Sequence, residues 1–222
     1  MSDSEEEFVE KQLKIAFVGD TDVGKSSIIK RFCQDEFTRQ SNPTVGADFY
    51  TKHIILPGHQ GVTLIISDIG GQELGGTMLD KYLYNVNVIV FVYDITNSAS
   101  FDSLSAWFDS VSSLIPTPIR SAVFGNKCDL DHQRAIRIEH VQQFVNQCNL
   151  HHFSVSARTG EYLNASVMEL VAKHLGVRLS AVEKEHHHVV KARLVPPTAA
   201  GKRPATKQES RRKELTAVCS IQ

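Results

Sequence analysis

The stretch GDTDVGKSS, residues 19–27, limits what this chain can fold into more than any other. Gly19 to Ser26 fits G-x-x-x-x-G-K-S without a gap. An apolar run at 13–18 precedes it, and 26–32 follows with Ile28, Ile29 and Phe32 at helical spacing. A strand that turns through such a loop into a helix aims successive backbone N–H groups and a helix start at one spot, which suits an anion. Gly19 and Gly24 allow the tight turn. Lys25 can reach the β and γ phosphates of a nucleotide, and Ser26 can supply a magnesium ligand. Asp22, Val23 and Ser27 complete the phosphate-loop candidates. A glycine turn with a chance lysine is the bland alternative; the position between strand and helix argues against it.

The remaining pattern supports the same layout. Stretches 48–56 and 62–68 read as two strands, with PGHQG at 57–61 as a hairpin turn between them. Stretch 87–93 is strongly β-like. Phe101, Leu104, Phe108 and Val111 recur at helical spacing, and Pro116 and Pro118 end that helix. A strand at 121–125, a helix marked by Ile138, Val141, Phe144 and Val145, and a strand at 152–156 follow. A last helix covers 163–175 and closes at Gly176. The alternation predicts an α/β fold: a mostly parallel six-stranded sheet, one antiparallel edge strand, and helices on both faces. Ligands in such sheets sit at the carboxyl ends of the strands.

Composition bounds the rest. The 222 residues suit one domain with tails, and 41 % apolar residues are enough to fill a core. Charge is uneven: residues 1–10 carry five acids and no base, and 178–222 carry ten Lys or Arg against four Glu. The expected division is an acidic disordered arm at 1–10, a folded domain at 11–177 and a basic, mostly disordered tail at 178–222. Cys33, Cys128, Cys148 and Cys219 show no zinc spacing and no signal peptide is expected, so a reducing compartment is the simplest reading. The apolar run at 86–93 is far short of a membrane span. The middle of the chain, 11–177, has 14 basic and 16 acidic residues and no aromatic-interleaved basic face, which argues against nucleic acid as a partner.

The base is read further on. NKCD, at 126–129, follows the strand SAVFG. The Asp129 carboxylate can accept two hydrogen bonds from the N1 and N2 edge of guanine, a donor pair that adenine lacks. Asn126 can position the base, and the Lys127 stem can lie along a ring face. SAR, at 156–158, follows the last strand and can bring the Ala157 backbone N–H near guanine O6, with Ser156 and Arg158 beside it. An ATP-dependent phosphotransferase built on the same loop is disfavoured by this pair of motifs.

With GDTDVGKS, DIGGQ, NKCD and SAR in this order, the chain resembles a Ras-like small GTPase over about residues 12–177. PTVGADF at 43–49, VYDIT at 92–96 and FDSLSAW at 101–107 are similar to the Rab family within it, and DIGGQ with a terminal CSIQ resembles a divergent Rab branch linked to vesicle and ciliary traffic. The resemblance implies a slow magnesium-dependent hydrolysis of GTP to GDP. Thr44 would be the switch threonine that binds magnesium, alongside Ser26, and Asp68 would hold the metal through water. Phe37 would pack on guanine. Gly71 would offer its N–H to the γ phosphate, Gln72 would orient the attacking water, and Lys25 would oppose the developing charge. Exchange factors, activating proteins and effectors would act at switch regions 38–50 and 70–80, on a monomer. No arginine in the phosphate motif serves as an internal finger, so an activating protein would supply one.

Several residues depart from the Rab pattern. Thr21 and Asp22 fill the loop middle, where Thr21 is expected to crowd Gln72 or an incoming arginine. Ser41 stands where relatives have an aromatic lid. Gly70 loosens the second switch, and Ser67 replaces the tryptophan of the Rab surface triad. Glu73 to Gly76 lacks the familiar arginine and phenylalanine.

CSIQ is a C-terminal prenylation match that favours a farnesyl group on Cys219, with Ser220 as an imperfect position. One lipid binds membrane marginally, and the basic residues Lys202, Arg203, Lys207, Arg211, Arg212 and Lys213 can add an electrostatic signal. The same basic stretch resembles a split nuclear import signal, and a solvated linker explains its charge as well. His186 to His188 read as linker histidines rather than a metal site. The expected whole is a GTP-driven switch of vesicle or ciliary membrane traffic, at the cytoplasmic face of membranes, in the cytosol and at the ciliary base. The competing reading is a guanine-nucleotide-binding scaffold with negligible hydrolysis and constitutive partners.

Overall fold

The computed structural model describes residues 11–39, 42–56, 60–115 and 119–180. Six strands form one sheet: β1 (Lys11–Val18), β2 (Ala47–Leu56), β3 (Gln60–Ile69), β4 (Val88–Asp94), β5 (Arg120–Asn126) and β6 (His151–Ser154). Their order is β2-β3-β1-β4-β5-β6. Every neighbouring pair is parallel except β2 with β3. The expected mostly parallel sheet with one antiparallel edge strand is what the chain forms.

The helices are α1 (Lys25–Gln34), α2 (Leu79–Tyr82), α3 (Ser98–Asp102), α4 (Leu104–Leu114), α5 (Ile138–Gln147) and α6 (Leu163–Leu175). Successive residues of β1 alternate between two cores. Leu13, Ile15 and Phe17 join Ile28, Ile29, Val167 and Val171 from α1 and α6 on one face. Ala16 and Val18 join Leu104, Trp107, Val111 and Val141 from α4 and α5 on the other. A strand covered on both faces reads as a near-continuous apolar run, which is why β1 and the fully buried β4 are so plain in the sequence. The helix that follows β1 lies on one face and the helix that follows β4 on the other. The carboxyl ends of these adjacent strands therefore border a crevice.

The helix expected through 101–111 is two segments, α3 and α4, joined at Ser103. Its φ of −69° and ψ of −15° keep the right-handed conformation, so the apolar spacing carries through. A 3₁₀ turn at Gly71–Glu73, α2, and a 3₁₀ run at Cys128–Gln133 were not expected from the sequence. Residues 57–59 of the hairpin turn, Pro116, Pro118, Ser41, the arm at 1–10 and residues 181–222, with His186 to His188 and Cys219, lie outside the described residues. Among the described residues, no helix is long and apolar enough to cross a membrane.

Candidate nucleotide-binding site

The loop between β1 and α1 is held by close backbone approach. A Cβ on Gly19 would stand 2.2 Å from the Val92 carbonyl oxygen of β4, and one on Gly24 would stand 2.3 Å from Asn126 Nδ2. Gly24, with φ 93°, is the residue before the first turn of α1, and no side chain caps that turn. Its first N–H groups thus have no side-chain acceptor, and the first turn carries no acid, which leaves the helix start favourable for an anion. Lys25 Nζ donates to the carbonyls of Gly19 and Asp20, each at 2.7 Å. Burial pushes the Lys25 pKa down to about 8, with Asp68, Asp20 and Asp22 pulling the other way. A small cavity of about 40 Å³ lies between Lys25, Ser26, Thr44 and Gly71.

Three oxygens gather beside it. Ser26 Oγ is 3.1 Å from Thr44 Oγ1, and Thr44 Oγ1 donates to Asp68 Oδ2 at 3.4 Å. Asp68 is fully buried, and its Oδ1 has no hydrogen-bond partner. Burial raises the Asp68 pKa, opposed by the Ser26 hydroxyl, the Lys25 charge and the Thr44 hydroxyl and reinforced by Asp48. A buried carboxylate oxygen without a partner calls for a cation or a donor. Two hydroxyls and one carboxylate are hard oxygen ligands, few enough to leave coordination sites for water and phosphate, and so they fit Mg²⁺. Among the described residues no group of three His, Cys, Asp or Glu forms an alternative metal cluster.

A cleft of about 540 Å³ opens next to the loop, with Phe37, Lys127, Asp129, Ala157 and Arg158 in its lining. The Asp129 carboxylate is oriented on both sides. Ser156 Oγ donates to Oδ1 at 2.7 Å, and Arg158 Nη1 lies 3.7 Å from Oδ2. Asn126 ties three segments together: its Nδ2 donates to the Val23 carbonyl at 2.8 Å, and its Oδ1 accepts from Ala157 N–H at 3.1 Å. The Ala157 N–H, expected to face a guanine O6, is thus directed at Asn126 in this structure. Lys127, at φ +68°, pairs with Asp94 Oδ2 at 2.6 Å and donates to the Asp22 carbonyl at 3.2 Å. Its side chain lines the cleft.

Sequence reasoning missed two supporting residues. Arg31 on α1 donates Nε–H to the Ala157 carbonyl at 3.0 Å and Nη2–H to the Arg158 carbonyl at 2.6 Å, holding the SAR turn from below. Asp94, at the end of β4, anchors Lys127. These bonds span long stretches of chain and leave no local pattern, although Arg31 is, with Lys25, one of two bases among the buried residues of α1.

The two segments expected as switches meet each other, and one of them meets the loop. Gly70 N–H donates to the Gly46 carbonyl at 2.8 Å, and a Cβ on Gly71 would stand 2.2 Å from Thr21 N. Thr21 thus abuts Gly71, and the neighbouring Gln72 is exposed in the 3₁₀ turn. Ser67 is not at the surface. It is fully buried and its Oγ has no hydrogen-bond partner, because β3 runs inside the sheet with Ala16 of β1 and Phe49 of β2 on either side of it in register.

A lysine-bearing glycine loop between a central parallel strand and a helix, a hydroxyl–carboxylate cation site and an oriented acid in the adjoining cleft define a P-loop nucleotide hydrolase. The family model described as "Ras family" matches residues 14–175. The chain is 37 % identical over 179 residues to Ras-related protein Rab-28 of Caenorhabditis elegans, covering 79 % of this chain and 72 % of that protein. It is 34 % identical over 163 residues to GTP-binding protein ypt5 of Schizosaccharomyces pombe, covering 73 % and 77 %. With Ras-related protein RABA5c of Arabidopsis thaliana it shares 32 % over 157 residues, covering 71 % and 73 %. The chain belongs to the Ras family and is a GTP-hydrolysing P-loop enzyme closely related to the Rab small GTPases.

Proposed function

We propose that this chain is a magnesium-dependent guanine-nucleotide switch acting in membrane traffic, with 11–177 as its GTPase domain. The observation that carries the reading is the Asp129 carboxylate, fixed by Ser156 and Arg158 in a cleft that opens beside the Lys25 loop. A carboxylate so held accepts from guanine N1 and N2 together, a donor pair that adenine lacks. Phe37 and the Lys127 stem enclose the base, Asn126 sets its edge, and Ala157 N–H would turn from Asn126 Oδ1 to reach guanine O6. Gly19 and the backbone of Asp22, Val23, Gly24, Lys25, Ser26 and Ser27 hold the phosphates.

Hydrolysis is in-line attack of water on the γ phosphorus, with GDP leaving. Ser26 and Thr44, with Asp68 through water, would hold magnesium, which when bound would supply a Lewis acid opposing charge on the phosphate oxygens. Lys25 gives up its two loop carbonyls for the β and γ oxygens and counters the negative charge. Gly71 N–H meets the γ phosphate. Gln72 turns in from its exposed turn to orient the water, which keeps turnover slow until an activating partner orders that turn and adds an arginine.

Segments 38–50 and 70–80 are then the faces that effectors and regulators read. A farnesyl group on Cys219, with the basic residues of the 178–222 tail, would give reversible hold on anionic membranes. The DIGGQ and CSIQ signatures favour vesicle and ciliary routes. The experiment is a pull-down from lysate with GDP-loaded and GTP-analogue-loaded chain side by side. Partners that appear only with the analogue support the switch. Equal retention in both states would establish the constitutive scaffold instead.

A further inference from the structure

Asp20 sits in the phosphate loop without a role so far, and a carboxylate there is electrostatically awkward. It stands close enough to Lys25 to act on its charge, as Asp22 and Asp68 do. Each such acid competes for the ammonium that a nucleotide needs. The Asp20 carboxylate is nevertheless held elsewhere. Its Oδ1 accepts Nε1–H of Trp107 at 2.9 Å, from a residue 87 positions along the chain. Its backbone carbonyl, by contrast, faces Lys25 Nζ at 2.7 Å.

Trp107 is fully buried in α4, in the core on the face of the sheet away from α1. A buried indole N–H needs an acceptor, and Asp20 provides it. The packed indole cannot follow a moving carboxylate, so the bond fixes where that carboxylate stays. The sequence shows neither partner's purpose, because FDSLSAW reads as an ordinary amphipathic helix with its tryptophan in the core.

We infer that Trp107 is a positioning residue for the phosphate loop: its indole N–H holds the Asp20 carboxylate on the α4 side and leaves Lys25 to the phosphates. The inference rests on the guanine-nucleotide reading above. Without the indole N–H, the carboxylate turns toward the Lys25 ammonium. An ion pair forms in a site largely removed from water, where such a pair is strong, and it competes with the β and γ oxygens. The nucleotide then leaves faster.

The test is a double-mutant cycle on the full chain: wild type, W107F, D20N and W107F/D20N, each loaded with methylanthraniloyl-GDP and chased with unlabelled GDP at fixed magnesium. In the wild-type background W107F should speed release about tenfold, the size expected for losing a hydrogen bond to a charged group. In the D20N background it should do so less than about threefold, because asparagine has no charge to pair with Lys25. Equal acceleration in both backgrounds would leave only lost core packing and overturn the inference, with the nucleotide reading intact. Failure of the wild-type chain to bind GDP would overturn both. Trp107 is the only tryptophan of the chain, which gives a readout that survives a poorly folding W107F. The emission maximum of GDP-loaded wild type should differ from that of D20A, in which the acceptor is gone. Coincident spectra would mean that the indole bond is not formed in solution.

Discussion

Lys25 keeps its charge where burial disfavours it. Its pKa is about 8 in the fold against an ordinary value of 10.5, even with three acids nearby. The sign of the linkage is fixed by which state binds more protons. Between about pH 8 and 10.5 the unfolded chain holds the Lys25 proton more often, so the penalty is whole below pH 8 and fades as pH rises. Its size is about 3 kcal/mol. Nucleotide-free Lys25→Met should therefore unfold at higher denaturant than nucleotide-free wild type at pH 7, with the gap narrowing toward pH 10, while added GDP stabilises only the wild type. A variant no more stable than wild type at pH 7 would mean that the loop carbonyls already compensate the charge. Asp129 poses the complementary case, a carboxylate oriented by Ser156 and Arg158. Asp129→Ala should weaken GDP binding at least about a hundredfold, since two charge-assisted hydrogen bonds are lost, and should abolish the preference for GDP over ADP in a competition assay. Undiminished affinity would remove the guanine assignment.

The elements differ in how openly the sequence announces them. β4 is buried along its whole length and β1 and β5 in their later residues, so 15–18, 88–93 and 122–124 are unbroken apolar runs. α6 has the bounds expected from its spacing, Leu163–Leu175, because a long buried face and a terminal glycine mark it from both ends. Gly176 adopts φ 71°, its N–H bonds the Ala172 carbonyl, and a Cβ there would meet nothing within 4 Å. The cost of Gly176→Ala is then the left-handed backbone alone, about 1 kcal/mol. It should lower the denaturant midpoint without altering the slope; no change would mean that the helix end frays. Short pieces give no such signal. Gly71–Glu73 and Leu79–Tyr82 are too brief for a hydrophobic period, and each is set by what it packs against. The motif residues of the cleft were legible one by one, yet the bonds that hold them in place were not. Arg31 reaches Ala157 across 126 residues, and the Asn126 bond to Ala157 joins the end of β5 to a loop that no local pattern connects with it. Ser67 was read by likeness to relatives as a surface position; the interior place of β3 in the sheet buries it.

At the scale of the whole molecule, the sheet and the switch segments are held by different kinds of contact. β1, β3, β4 and β5 carry continuous ladders and two apolar cores. Residues 42–46 and 70–73 meet each other, the loop and β3 through a short set of contacts: Thr44 with Ser26 and Asp68, Gly70 with Gly46, and Gly71 against Thr21. Val45 is 91 % exposed, so little apolar burial reinforces them. Local opening of such a segment costs far less than opening the sheet. A γ phosphate and magnesium would add bonds at Thr44 and Gly71, and GDP would lack those to the γ position. Hydrogen exchange should therefore be slower by about tenfold in 42–50 and 70–80 with a GTP analogue than with GDP, a coupling in the ordinary range for ligand-linked segments. Amides of β1, β4 and β5 should change far less. Chelating magnesium from the analogue-loaded chain should return the two segments, and only those, toward their GDP rates. Equal protection with both nucleotides would make this chain a static guanine-nucleotide binder, and slowing spread evenly over the sheet would reduce the effect to general stabilisation by a ligand, because in neither case would the γ phosphate select a surface for partners to read.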